Sequence, residues 1–234
     1  MKNFLNFKLL SFDCYGTLVD WEKGIVESLE PFLVSRGVVI DDEQLLEMYA
    51  KYESEIENGT YIEYKEVLVE VFNKICGRLS IRINDREKHL LLESFANWEP
   101  FPDTISALKS FKKNFKLAII SNVDDDLFKL TQKKLDVEFD YVITAQQVKS
   151  YKPSTLIFKY ALEKFGISKE HILHIAQSIY HDIVPAKSLG ITTVWVNRRK
   201  GRKGSGATPP AQGKPDLEVP DLAVLANLIE NTNV

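Results

Sequence analysis

Cysteine is scarce in this chain. Two residues among 234, Cys14 and Cys76, cannot build a disulfide framework and fit a reducing compartment. Long hydrophobic runs are missing too. The apolar stretch from Phe4 to Leu10 is broken by Asn6 and Lys8, is too short to span a membrane, and lacks a small-residue cleavage site. It is expected to lead into a strand, in a cytoplasmic protein with no membrane partner. An excess of either charge is absent: 30 basic against 33 acidic residues leave a formal charge of -3. That argues against a general nucleic-acid or acidic-membrane binder. Internal repeats are not visible. The remainder, 44% hydrophobic and 27% charged, is ordinary globular material, long enough for one domain plus a satellite.

Short apolar or β-branched runs followed by polar breaks recur at Leu9 to Asp13, Lys116 to Ser121, Tyr141 to Thr144, His171 to Ala176 and Thr192 to Val196. Helix-like stretches lie between them at Asp124 to Leu135, Ser154 to Phe165 and Asp182 to Leu189. Asp124 to Asp126, Ser154 and Ser168 signal helix starts, and Gly166 and Gly190 signal stops. This alternation predicts an α/β fold with a parallel sheet. From Asp20 to Asn97 the pattern changes to helical periodicity, as in Leu45, Leu46, Tyr49 and Tyr52, then Tyr64, Val67, Leu68 and Val71. So long a connection must fold on its own. The expected organisation is a core domain of residues 1–19 and 98–234, with a helical cap domain, 20–97, inserted after the first strand. The Arg-, Lys-, Gly- and Pro-rich segment 198–215 is read as a solvated loop, with substrate or subunit contact as the minority alternative.

In an open parallel sheet, ligands bind at the carboxyl ends of the strands. Asp13 to Thr17, Ser121 with Asn122, Lys152, and Asp182 all fall at such ends. A carboxylate nucleophile needs a cation and donors to keep it ionised. Lys152 can supply the charge, worth about 4 kcal/mol at roughly 4 Å and an effective dielectric near 20, before desolvation is subtracted. Thr17 and the turn amides near Gly16 can donate. Ser121 and Asn122 offer a hydroxyl and an amide to a substrate, and Asp182 can orient Lys152 or a hydrolytic water. The phenol of Tyr15 and the amide of Gln177 are expected to line the pocket. His181 is expected to point away from its neighbour Asp182, Cys14 to be a small core residue, Trp195 to be core and Asn197 to lie near the site. Tyr49, Tyr52, Tyr61 and Tyr64 are expected mainly to pack the cap.

Phe12-Asp13-Cys14-Tyr15-Gly16-Thr17-Leu18 resembles the first motif of the haloacid dehalogenase (HAD) superfamily. Ser121-Asn122 resembles the second, Lys152-Pro153 the third, and Asp182 with Ile183 to Gly190 the fourth. The resemblance implies a doubly wound, Rossmann-like core with an inserted α-helical cap, and Asp13 as nucleophile. Phosphatases of that superfamily carry Asp where this chain has Tyr15 and Gln177, one as general acid and one to hold Mg²⁺. Asp-x-Tyr-Gly-Thr-Leu is instead similar to type II 2-haloacid dehalogenases, which displace halide without a metal. The implied reaction is attack at carbon through an aspartyl ester, on a small 2-substituted carboxylic acid, with no cofactor. Thr17, Tyr15, Ser121, Asn122 and Gln177 would serve the site.

Departures from that family are specific. Its halide-receiving cap Arg has no counterpart among residues 45–55, where Glu53-Ser54-Glu55 is acidic. Its fourth-motif Ser and Asn align with Gln177 and Ile179, and its Tyr with Phe158. Ser178 to Asp182 and Gly206-Ala207-Thr208 are similar to azetidine-2-carboxylate hydrolase, and Glu53 would suit a substrate ammonium. The alternatives are therefore C–N cleavage of that type, an Mg²⁺-dependent phosphatase, or a non-catalytic binding protein on the same scaffold. A homodimer is compatible with the sequence.

Overall fold

The computed structural model describes residues 4–232. In chain order the elements are β1 (Leu9–Phe12), α1 (Trp21–Ser35), α2 (Asp42–Glu57), α3 (Tyr64–Arg78), α4 (Leu90–Ser94), α5 (Thr104–Lys112), β2 (Lys116–Ser121), α6 (Asp125–Leu135), β3 (Tyr141–Thr144), α7 (Ala145–Val148), α8 (Leu156–Phe165), β4 (Ile172–Ala176), α9 (Val184–Ser188), β5 (Thr192–Val196), β6 (Leu217–Val219) and α10 (Leu222–Thr232). The strands form one sheet in the order β3-β2-β1-β4-β5-β6, and every pairing is parallel. Among the described residues no helix is long and apolar enough to cross a membrane.

The apolar runs are continuous rather than alternating because helices cover both faces of the sheet. All of β1 and β4 is buried. β1 is central, pairing Phe12 with Ile119 of β2 on one side and with Ile175 of β4 on the other. The chain winds one way from β1 to β2 and β3, and the other way through β4, β5 and β6. The carboxyl end of β1 is therefore the switch point of a doubly wound sheet. That register brings Asp13, Ser121 and Gln177 to one edge.

The five strands expected from sequence are present, and β6, α5 and α10 are additional. β6 is only three residues long, too short for a periodic signal. Gly166 and Gly190 end their helices at positive φ, +59° and +78°. The helix expected from Asp182 is divided: Ile179–Ile183 is one π-helical turn, and α9 follows.

Between β1 and β2 the chain is helical, as its periodicity predicts. Asp20 and Asp41 cap α1 and α2 through Lys23 N and Glu43 N. The buried stripe of α2 runs Leu45, Leu46, Tyr49, Ala50, Glu53, so one turn of apolar spacing is occupied by a carboxyl. Gly24 of α1 lies against Trp98, where a Cβ would come within 2.3 Å of the indole. Only glycine lets α1 approach the returning chain so closely.

The segment from Arg198 is solvated as expected over 200–204 and 210–214, but Arg198, Arg199 and residues 206–208 are held against the protein. Arg198 donates to both carboxylate oxygens of Asp103 (2.7 and 2.9 Å) and to Thr17 O. Arg199 bridges Glu22 of α1 and Glu43 of α2. Gly206 N and Ala207 N donate to the same two carboxylates. Asp103 lies 95 residues from Arg198, and Glu22 and Glu43 more than 150 from Arg199, so a local basic run gave no sign of them.

Candidate active site

Asp13 follows β1 directly, at 6% exposure. Lys152 Nζ reaches it from the loop after α7, 2.8 Å from Oδ1, and lies 2.8 Å from Asp182 Oδ1 and 3.0 Å from Ile120 O. An ammonium has three protons, and all three are committed. Thr17 Oγ1 donates to Asp13 Oδ2 at 2.7 Å and accepts from Gln177 N at 2.9 Å, so one hydroxyl ties the first loop to the end of β4.

Two buried carboxyls sharing one ammonium cannot be equally favoured as anions. Burial raises Asp13 above the usual carboxylate range despite the pull of Lys152. Burial would raise Asp182 too, but Lys152 and His174 outweigh it and hold that carboxyl low. The two carboxylates in turn raise Lys152 against its own desolvation.

His174, in β4, is fully buried. Its Nε2 lies 3.0 Å from Asp182 Oδ1 and its Nδ1 3.0 Å from Ser11 Oγ. Donation to the carboxylate requires the Nε2–H tautomer, which leaves Nδ1 to accept from Ser11. Mid-strand His174 reads as core from sequence, and only its register opposite Ser11 reveals its contact with the site.

Asp13 and Asp182 open into one small cavity. Its other lining residues include Tyr15, Glu53, Glu57, Ser121, Asn122, Lys152, Gln177, His181 and Thr208. All nine residues singled out from sequence are brought together, since Thr17 touches both Asp13 and Gln177. Tyr15 and Gln177 line the cavity as expected, while several contacts in and around the set add to or depart from expectation. The Asn122 amide is already engaged: Nδ2 donates to Glu57 and to Lys152 O, and Oδ1 accepts from Lys152 N. Tyr15 shares a hydrogen bond with Thr131 and packs on Phe95 and Trp98. His181 does not point away from Asp182; both line the cavity, because a π-helical turn advances less per residue than an α-turn. Tyr49 and Tyr64 do more than pack, as their hydroxyls donate to Glu53 Oε1 at 2.9 and 2.7 Å.

Trp195 is half-buried rather than core, with Nε1 donating to Gln177 O. Asn197 is turned away to Glu218. Cys14 is buried in the core as expected. Glu57 was missed by sequence reasoning, although its i,i+4 spacing from Glu53 continues the buried stripe of α2. Burial lifts Glu53 to about 7 and Glu57 well above its ordinary range, while it depresses His181 to about 4.

A doubly wound parallel sheet, a helical insertion after its first strand and a buried carboxylate–ammonium pair at its switch point define a hydrolase class. Residues 10–196 match the family of haloacid dehalogenase-like hydrolases, and the chain belongs to that family. Haloacetate dehalogenase H-2 of Moraxella sp. (strain B) is 27% identical over 226 residues, covering 94% of this chain and 96% of its own. An (S)-2-haloacid dehalogenase of Pseudomonas putida is 26% identical over 233 residues, covering 97% and 98%. L-2-haloacid dehalogenase of Xanthobacter autotrophicus, solved with chloropropionic acid covalently bound, superposes with a TM-score of 0.79 at 20% identity, covering 96% of this chain and 98% of that one.

Proposed function

We propose that this chain is a hydrolase acting at carbon, of the 2-haloacid dehalogenase type, with Asp13 as nucleophile. An oxygen of Asp13 attacks C2 of a small 2-substituted carboxylic acid. The bond to the leaving group breaks with its electron pair, which departs as halide, and an aspartyl ester remains. Water then adds to the ester carbonyl, the Asp13 carboxylate re-forms and a 2-hydroxy acid leaves. The water's spare proton passes to Asp182, whose Oδ2 has no hydrogen-bond partner among the described residues. Lys152 steadies the charge on Asp13, Thr17 orients it, and Ser121, whose Oγ is buried and unpartnered, donates to the substrate carboxylate. Tyr15 and Gln177 form the wall, and residues 20–97 act as a cap domain that excludes water from the first step. The reading is carried by the Lys152 ammonium held between Asp13 and Asp182.

Magnesium does not fit this residue set. The gap between the two carboxylates is filled by Lys152, and Gln177 is neutral where an Mg²⁺-dependent site needs a hard anionic oxygen. Among the described residues no group of three or more His, Cys, Asp or Glu side chains could hold a metal. Phosphoryl transfer would therefore lack charge neutralisation.

The test is a single turnover on 2-chloropropionate in heavy-oxygen water. Label should appear in Asp13 and not in the hydroxy acid, with one halide released. Label in the product alone would show direct attack by water and refute the ester.

A further inference from the structure

Two carboxyls of the insertion, Glu53 and Glu57, line the cavity that holds Asp13. They are one helical turn apart on α2 and deeply buried, Glu53 at 3% exposure and the Glu57 side chain at 4%. Buried acids normally meet a counter-ion or shed their charge. The hydrogen bonds to Glu53 come from Tyr49 and Tyr64, and both fall on Oε1. Glu57 is served by the amide of Asn122. All of these donors are neutral. Lys152 is the cavity's sole Lys or Arg, and its three protons go to Asp13, Asp182 and Ile120 O. Burial holds His181 neutral near pH 7.

Independent observations mark the cavity as unfinished. His181 is 8% exposed and Ser121 1%, yet His181 Nε2 and Ser121 Oγ have no hydrogen-bond partner among the described residues. His181 Nε2 sits 3.8 Å from Glu57 Oε2. The lining thus offers unfilled hydrogen-bonding capacity on the sheet side and, on the α2 side, two buried carboxyls with no cation beside them to favour their ionised form. A simple haloacid brings only a carboxylate into a space already holding four carboxyl groups, Asp13, Glu53, Glu57 and Asp182. A substrate that also carries a protonated amine would supply the missing counter-charge.

We infer that Glu53 and Glu57 form an ammonium subsite, so that the substrate is a zwitterion, an amino-bearing carboxylic acid. The inference rests on the reading of Asp13 given above. The carboxylate lies toward Ser121 and the ammonium toward α2, which aligns the carbon between them over Asp13.

The test uses inert acids that differ only by an ammonium in place of a methyl group: alanine against isobutyrate, β-alanine against butyrate, 4-aminobutyrate against pentanoate. Calorimetric titration into the wild-type protein should show at least one pair in which the ammonium member binds tenfold or more tightly. Glu53→Gln and Glu57→Gln, each checked for an intact melt, should cut that preference to under threefold. No preference in any pair, or a preference that survives both substitutions, overturns the subsite. Heavy-oxygen labelling of Asp13 is scored separately. Label without an ammonium preference sinks only the subsite, and absence of label sinks the nucleophile whatever the titrations show.

Discussion

Replacing Lys152 by Met removes the ammonium while keeping its length and bulk. Nζ is 2.8 Å from one oxygen of each carboxylate, and the side chain is 1% exposed. At an effective dielectric near 20, each contact is worth about 6 kcal/mol of attraction before desolvation. Breaking a buried pair from one side costs about 3–5 kcal/mol net. Asp13 is already raised by burial with Lys152 present. Losing about 3 kcal/mol of differential support would lift it roughly two further units. The active form is the carboxylate, so a higher pKa moves the acid limb of the rate profile to higher pH. Halide release from 2-chloropropionate, followed from pH 5 to 10, should fall by up to about 100-fold on the acid side of the wild-type limb, and by less above it. It should partly recover in alkali, with the acid limb of kcat/KM displaced upward by about two units. A circular dichroism melt checks folding, and Lys152→Arg, which keeps the charge, should return the limb toward its original place. A limb that stays put, with the rate lost or kept, would refute the claim that Lys152 acts through the charge of Asp13.

Glu53→Gln should stabilise the protein in a pH-dependent way. Glu53 keeps its proton to about 7 when folded against 4.5 ordinarily. Wild type therefore loses about 3 kcal/mol as pH climbs through that window, and the amide does not. Melts at pH 5 and pH 8 should show a gain of several degrees at pH 8 alone; an equal gain at both would contradict the assignment. Thr17→Val leaves Gln177 N without its acceptor and takes the hydroxyl donor from Asp13 Oδ2, and should cost about 1–3 kcal/mol by urea unfolding, with a lower kcat. Gly24→Ala, whose new methyl collides with Trp98, should destabilise by about 1–3 kcal/mol with KM little changed if the helix shifts away from the cavity. Exhaustive treatment with a chelator should leave halide release unaltered, whereas a loss restored by Mg²⁺ would return the phosphatase type of site to consideration.

Strands were legible because burial on both faces imposes continuous apolar runs, as in Leu9 to Phe12 and Leu117 to Ile120. The insertion was legible because its periodicity changes at Asp20. Asp13, Lys152 and Asp182 could be placed because each follows or precedes a recognisable element at the carboxyl edge of the sheet. The unread portion of the site depends on long-range pairing. Asn122 looks like a substrate donor until α2 delivers Glu57 to it. His174 looks like core until β1 and β4 align. Arg199 looks solvated until α1 and α2 present Glu22 and Glu43. His181 was misjudged for a local reason, since sequence did not signal the π-helical turn that carries it.

Asp124 illustrates the same limit. Read as a helix start, it does flank α6, but its two oxygens accept from Tyr64 N (3.0 Å) and Lys65 N (2.9 Å), the first amides of α3. A residue three positions beyond Ser121 thus fastens the third helix of the insertion to the carboxyl edge of the sheet. Swinging α3 outward must strip a fully buried anion of both amides, each worth about 1.5–3 kcal/mol. An α3 displaced from that edge would leave both acceptor oxygens unmet, so Asp124→Asn, at a position outside the cavity lining, is expected to loosen the join between the insertion and the sheet.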